Sequence, residues 1–320
     1  MTGVVMYGLT DLPLDARPAV VTIGKFDGVH RGHRAVISTL RRRAAAQPGD
    51  ARAVVVTFDR HPAQVLAPDR APSPLLSVTQ KTEALIEAGV DLVVVLPFTT
   101  ELAGLTPEQF VQRVLVSALG SVEVLVGTDF RFGARGAGTV ATLRMLGEQH
   151  GFTVGLVDDV CEVDGQRVSS TSIREALGAG RLDEAAAALG RAPRIRSLVV
   201  PGHQRGRELG YPTANLAHDA EGLIPADGVY ACWLRVGGDR FGAAVSVGNN
   251  PTFGDVREKT VEAHAIDVSI DLYGRTVELE FVAYIRGMQK FPTADALAKQ
   301  MGHDEIAIRR VLGLPLHGTA

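Results

Sequence analysis

Five short runs dense in valine and leucine, at 19–24, 53–58, 92–96, 122–127 and 153–157, constrain the fold of the first half most strongly. They are nearly continuous in apolar residues rather than alternating, as in strands covered on both faces within a parallel sheet. Parallel neighbours must be joined by long crossovers, and helical stretches fill the intervals. Thr106-Pro107-Glu108-Gln109 supplies an N-cap, a proline at the first helical position and a capping-box glutamine. Ser172-Ile173-Arg174-Glu175 has the form of a second capping box. The alternation predicts a doubly wound α/β domain over about 19–190, which binds ligands at the carboxyl ends of its strands.

Beyond about residue 190 the pattern changes. Strand-like runs at 194–200, 228–236, 241–247, 261–270 and 276–285 follow one another without a long helix between them. Asp227-Gly228, Gly237-Gly238-Asp239 and Tyr273-Gly274 mark their turns. Helical spacing of apolar residues returns only over 293–312. This half is expected to be an antiparallel sheet or small barrel closed by a C-terminal helix. A chain of 320 residues has room for two domains. The expected division is 1–187 and 188–320, with the alanine-rich stretch 185–193 as linker.

Composition narrows the partners. The net charge of −3, from 33 basic and 36 acidic residues, creates no broad field for nucleic acid or anionic lipid, and neither is expected to bind. The basic run Arg41-Arg42-Arg43 sits in a helical stretch and reads as a solvated face. Two cysteines, Cys161 and Cys232, lie far apart, which argues against a zinc site or a disulfide framework. Apolar runs are too short to span a bilayer, and no basic segment followed by an apolar one opens the chain, so a cytoplasmic location is expected. Homo-oligomerisation is left open.

Two segments of the first half are suited to phosphate. Gly24-Lys25-Phe26-Asp27-Gly28-Val29-His30-Arg31-Gly32-His33 joins the first strand to the first helix. Its glycines let the backbone approach a polyanion, and the helix N-terminus adds N–H groups and a favourable dipole. His30 and His33 can donate to phosphate oxygens and stabilise charge on a departing pyrophosphate. A zinc site would need further ligands that are not visible. Arg167-Val168-Ser169-Ser170-Thr171-Ser172-Ile173-Arg174 brings three hydroxyls and two arginines to another helix start, the makings of a pyrophosphate cradle.

The second half opens with Gly202-His203-Gln204-Arg205-Gly206-Arg207-Glu208-Leu209-Gly210-Tyr211-Pro212-Thr213-Ala214-Asn215, which lacks the Gly-Lys-Ser/Thr ending of a Walker A loop. Pro212 favours an extended chain, so Thr213 and Asn215 share a face. A hydroxyl and a carboxamide oxygen side by side suit Mg²⁺. Glu262, on the same strand face as His264, either accepts a proton from a substrate alcohol or faces water, and spacing does not decide between the two.

The words as a set resemble a known family. Gly24 to His30, Thr57-Phe58-Asp59-Arg60-His61-Pro62, Gly127-Thr128-Asp129-Phe130-Arg131-Phe132-Gly133 and Ser169 to Arg174 resemble the FMN adenylyltransferase module of bacterial FAD synthetase. Gly206 to Leu216, Gly228-Val229-Tyr230, Gly248-Asn249-Asn250-Pro251-Thr252-Phe253 and Glu262 resemble a riboflavin kinase module. Their order is that of the bifunctional bacterial riboflavin kinase/FAD synthetases, and the likeness covers about 20–312. Arg60 departs from the proline many members carry, and His203 and Gln204 stand where many have small residues.

The resemblance implies a Rossmann-like nucleotidyltransferase domain followed by a six-stranded antiparallel barrel with a terminal helix. It implies ATP, riboflavin, FMN and FAD as substrates and products, with Mg²⁺ as cofactor. His30 and His33 would act on the reacting phosphates, with Gly24, Phe26, Asp27, Gly28, Gly32 and Asp129 around the nucleotide. Ser170, Thr171 and Arg174 would hold the β- and γ-phosphates, with Arg167 beside them. In the barrel, Thr213 and Asn215 would hold Mg–ATP and Glu262 would act as base. Gly202, Gly206 and Arg207 would belong to a flap over the nucleotide. The rivals are a nucleotidyltransferase with another acceptor and a flavin-binding protein without catalysis.

Overall fold

The computed structural model describes residues 3–10, 12–13, 16–157, 162–163, 165–201, 211–250 and 258–316. The chain divides into two compact units, Met1–Val168 and Ser169–Ala320.

The first unit is built on β1 (Val4–Tyr7), β2 (Ala19–Ile23), β3 (Arg52–Phe58), β4 (Leu92–Leu96), β5 (Ser121–Val126) and β6 (Thr153–Leu156). They form one sheet in the order β1-β4-β3-β2-β5-β6, with every neighbouring pair parallel. All five residues of β2 and of β4 are buried, as uniformly apolar runs require. Side chains alternate between two cores: Val21, Val54, Val56 and Val94 face one layer, while Val20, Val55, Val93 and Val95 face the other. Each such valine contributes about 1.5–3 kcal/mol through burial, so a charge at Val55 or Val94 would break the sheet. The edge strand β1 was not read from the sequence because Val4–Tyr7 is short and only half-buried.

The crossovers include α1 (Arg31–Ala46), the single turn α2 (Ala63–Leu66), α3 (Val78–Glu87), α4 (Thr100–Gly104) and α5 (Pro107–Phe110). The last runs on into a π-helical segment, Val111–Ala118, before α6 (Val140–His150). The expected capping box at Thr106 and Gln109 is present, with both reciprocal hydrogen bonds made. Arg41, Arg42 and Arg43 are exposed on α1, the solvated face expected of them. A two-stranded ribbon, β7 (Glu162–Val163) with β8 (Gln166–Arg167), ends the unit. The sheet order reverses at β2, which lies between β3 and β5. Chain leaving β2 therefore enters the crevice where such sheets take ligands.

The second unit begins with α7 (Ser170–Gly178) and α8 (Leu182–Leu189). The second capping box lies three residues earlier than the sequence suggested: Ser169 and Ser172 exchange the reciprocal bonds, at 3.0 and 3.1 Å. Serine at the third helical position fills the place usually taken by glutamate, which hid the true start. The alanine-rich stretch expected as linker is helical up to Leu189, and Gly190 closes it in the left-handed conformation at φ 72°.

Six strands then close a barrel, β9 (Arg194–Val200), β10 (Ala214–Leu216), β11 (Gly228–Val236), β12 (Asp239–Asn250), β13 (Glu258–Ala265) and β14 (Thr276–Arg286). Around the barrel they run β10-β13-β12-β11-β14-β9, with β9 pairing back to β10, all antiparallel. Strand β10 escaped the sequence reading because it holds three residues. The expected strand 261–270 ends at Ala265, where Asp267 turns the chain at φ 63°. Helix α9 (Ala294–Leu312) starts at the Thr293 cap and stops at Gly313, within a residue of expectation. Its Ile308 and Leu312 pack on Val229 and Ala231 of β11. Arg309 is buried and held by Asp267 and Glu305, which ties the helix to the turn after β13.

Candidate functional site

At the carboxyl end of β2 the backbone takes three left-handed residues within four: Phe26 at φ 49°, Gly28 at 88° and Val29 at 41°. Glycine accepts this freely, but for a β-branched valine it is an outlier costing about 1–3 kcal/mol. Full burial of the Val29 and Phe26 side chains offsets it. The loop is therefore forced by its core contacts into a shape that local preference would reject. Gly24 fits closely against this loop, since a Cβ there would lie 3.0 Å from the Phe26 ring.

The loop delivers His30 as the N-cap of α1. Its Nδ1 accepts from the His33 backbone N–H at 3.4 Å, so the proton of the neutral ring lies on Nε2, as a donor. The rings of His30 and His33 stack with centroids 3.6 Å apart and planes 18° apart, and Phe26 flanks His33 at 5.1 Å. Burial, with His30 and Lys25 adding to it, holds the His33 imidazole well below its ordinary pKa. A neutral His33 lets the two rings stack without like-charge repulsion. Its Nδ1 is buried with no hydrogen-bond partner. The first turn of α1 carries no acidic residue, and Gly32 is buried there, so the positive end of the helix is left for an anion.

Supporting groups surround the loop. Asp27 accepts from Leu75 N–H at 2.8 Å, and Asp59 accepts from Phe98 N–H at 2.8 Å. Arg60 pairs with Asp59 at 2.9 Å on the surface, while His61 Nδ1 accepts from Ala63 N–H and starts α2. The Arg60 substitution thus leaves the turn intact. Asp129 is exposed in the turn after β5. Buried Lys81, on α3, was missed by the sequence reading. Its place with Leu85 and Val78 on one helical stripe is the signal that could have found it.

Arg167 lies on the β7–β8 ribbon of the first unit, opposite Glu162 in register. Ser170, Thr171 and Arg174 are the first, second and fifth residues of α7, in the second unit. No acidic residue lies in the first turn of that helix either. Gly202, Gly206 and Arg207 lie outside the described residues, as do Pro251, Thr252 and Phe253.

In the barrel, Asn215 stands opposite Glu262 in the β10–β13 register, and Thr213 lies just before β10. Ala214 and Leu216 are buried, whereas Thr213 and Asn215, which alternate with them, are partly exposed, so the shared face expected of them exists. The Thr213 hydroxyl donates to Glu262 Oε2 at 3.3 Å. His264 Nδ1 bonds Pro212 O at 2.8 Å and its ring meets Tyr211 edge-on at 5.2 Å, which fixes the entry to this strand.

Two cavities meet at Thr213. One, of about 620 Å³, lies between the outer barrel face and α9, with Glu262 and His264 on one wall and Leu297 and Met301 on the other. Arg286 and Asp304 line it as a bidentate pair, at 2.7 and 2.9 Å, with Gln300 on the same carboxylate at 2.8 Å. The other, of about 580 Å³, is lined by Pro212, Ala214, Ala263 and the segment 268–273. Among the described residues no group of three or more His, Cys, Asp or Glu gathers to hold a metal. A cation at Thr213 and Asn215 would therefore be hard, oxygen-bound and partly ligated by water or substrate.

A reversing parallel sheet with stacked histidines at its switch point, and a closed barrel with a carboxylate hydrogen-bonded to the threonine where two cavities meet, define a two-module phosphate-transferring enzyme. The family model for FAD synthetase matches residues 12–172, and that for riboflavin kinase matches 189–312. Proteins named bifunctional riboflavin kinase/FMN adenylyltransferase are 36% identical in Escherichia coli K12, covering 97% of both chains. The one from Pseudomonas fluorescens is 37% identical over 96% of this chain and 97% of its own, and that of Bacillus subtilis 32% over 90% of each. The chain belongs to this family of bifunctional riboflavin kinase/FMN adenylyltransferases. A solved structure titled macrolide-efflux protein, from Streptococcus pneumoniae, superposes with a TM-score of 0.84 at 30% identity, covering 97% of this chain and 99% of that one. Among the described residues here, no helix is long and apolar enough to cross a membrane.

Proposed function

We propose that the family's two reactions are divided between the two modules, residues 188–320 carrying the first and residues 1–187 the second. In the first, riboflavin and ATP give FMN and ADP. In the second, FMN and a further ATP give FAD and pyrophosphate. The observation that supports this division is that the stacked His30 and His33 stand in the first unit, whereas the hydrogen-bonded Thr213 and Glu262 stand in the second.

In the kinase step the 620 Å³ cavity takes riboflavin and the 580 Å³ cavity takes ATP, with Thr213 on the wall of both. Glu262 accepts the proton of the ribityl 5′-hydroxyl as its oxygen bonds to the γ-phosphorus and the bond to ADP breaks. Thr213 and Asn215 hold Mg²⁺, whose chemistry when bound is to neutralise phosphate charge. Thr213 donates to Glu262 and keeps lone pairs for the cation, so it ties base to metal.

In the adenylyl step a phosphate oxygen of FMN attacks the α-phosphorus of ATP, and the bond to the β-phosphate oxygen breaks. His30 and His33 stabilise the charge passing to pyrophosphate. A polyanion beside His33 opposes the burial that lowers its pKa and favours the imidazolium, which is the form that donates twice. Gly24, Phe26, Asp27, Gly28 and Gly32 shape the nucleotide seat, with Asp129 at its rim. Arg167 of the same unit adds a cation for the β- and γ-phosphates. Neither step needs a covalent enzyme intermediate, because alignment can supply about 7–11 kcal/mol of the barrier. The enzyme works in the cytoplasm.

A time course with riboflavin, ATP and Mg²⁺, resolved by chromatography, tests the reading. FMN is expected to rise first and FAD to follow, with excess EDTA lowering both rates by more than about tenfold. Production of neither flavin would leave a nucleotidyltransferase with another acceptor as the better account.

A further inference from the structure

Lys81 is 8% exposed and carries its amino group into the carboxyl end of the parallel sheet. Nζ donates to Phe58 O, at the end of β3, at 2.6 Å, and reaches Lys25 O, in the loop after β2, at 3.5 Å. The Thr57 hydroxyl donates to the same Lys25 carbonyl at 3.2 Å. One buried cation thus bridges two strand ends, five residues before His30. Burying an ammonium among carbonyls is costly, and an apolar residue would fill this helical stripe more cheaply. A buried ammonium at this place does more than fill the stripe, because it ties two strand ends together.

We propose that Lys81 is a positioning residue of the adenylyl-transfer site: its ammonium pins the Lys25–His30 loop to the end of β3 and so sets where His30 and His33 meet the nucleotide. The proposal rests on the assignment of His30 and His33 to that reaction. The charged groups acting on Lys81 are Asp27, from the same loop, and Asp59, after β3, with Arg60 paired to Asp59 beyond it. Burial lowers the Lys81 pKa to about 8 against the pull of both carboxylates. The clamp is therefore charged at neutral pH and loses its proton under mildly alkaline conditions.

The test compares wild type, Lys81→Met and Lys81→Arg in both reactions across pH 7 to 9.5. Wild-type FMN adenylylation is expected to fall with a midpoint near 8. Lys81→Arg keeps a charged donor and should lack that fall. Lys81→Met should lose about 10²-fold in adenylylation at pH 7, the scale of a small misplacement of reacting groups. Riboflavin phosphorylation by the same protein should be unchanged. Wild-type adenylylation by Lys81→Met, or an alkaline fall that survives in Lys81→Arg, overturns the proposal. If Lys81→Met loses both reactions through misfolding, the wild-type and Lys81→Arg profiles decide. His30→Ala run alongside separates the causes: adenylylation intact in His30→Ala refutes the site assignment, whereas loss there with Lys81→Met unimpaired refutes only the clamp.

Discussion

Glu262→Ala is expected to abolish measurable FMN formation from riboflavin, lowering kcat by roughly 10²–10⁴, while supplied FMN is still converted to FAD. A primary alcohol is a poor nucleophile until its proton has somewhere to go, and Glu262 is the carboxylate on the wall between Thr213 and His264. Alanine removes the acceptor without disturbing the barrel, because Glu262 points out of the interior between buried Val261 and Ala263. The Thr213 hydroxyl loses its acceptor as well, so some weakening of ATP binding accompanies the loss of rate. The measurement is the initial rate of each reaction with its own flavin substrate. Loss of both reactions together would sink the two-site account.

His30→Ala should do the reverse. FMN is expected to accumulate from riboflavin while FAD formation falls by about 10²–10³, the range for removing one preorganised donor to a charge that develops in the transition state. The substitution also takes the cap from α1 and the stacking partner from His33. Cap loss costs about 0.5–2 kcal/mol, which a domain held by two cores absorbs. His30→Asn separates these roles, because asparagine caps a helix as well but cannot stack or carry the Nε2 proton. A His30→Asn protein that melts like wild type yet makes FAD as slowly as His30→Ala places the effect in chemistry. Wild-type FAD output from either variant removes His30 from the reaction.

Much of this organisation was legible in the sequence, for a physical reason. Strands β2 to β5 are buried on both faces or nearly so, and such strands must be written as unbroken apolar runs, whereas the edge strand β6, read by the same pattern, is only half-buried. Helix α9 was bounded correctly because Thr293 and Gly313 are unambiguous end signals. What escaped was set by tertiary contact. Strand β10 is three residues long and exists because β9 and β13 lie on either side of it. The start of α7 was misread by three residues because serine stands in for glutamate in its box.

The same division runs through the candidate sites. His30 and His33 stood out because histidine, glycine and histidine follow a strand, and the structure stacks them. Glu262 could not be separated from a solvent-facing residue by alternation alone. Only the closing of β10 against β13 brings it to Thr213. Lys81, Arg286 and Asp304 sit on elements remote in sequence from the motifs they support, so no local word announces them. The cavity beneath α9 is likewise a product of packing, with walls drawn from five separate segments.

Mixing the two blocked proteins tests the central claim most directly. Given riboflavin, ATP and Mg²⁺, Glu262→Ala alone and His30→Ala alone should each make no appreciable FAD. Together they should restore it, the second protein supplying FMN that the first adenylylates. A mixture that stays silent, although each protein still performs its own remaining step, would contradict a division of labour between two independent sites.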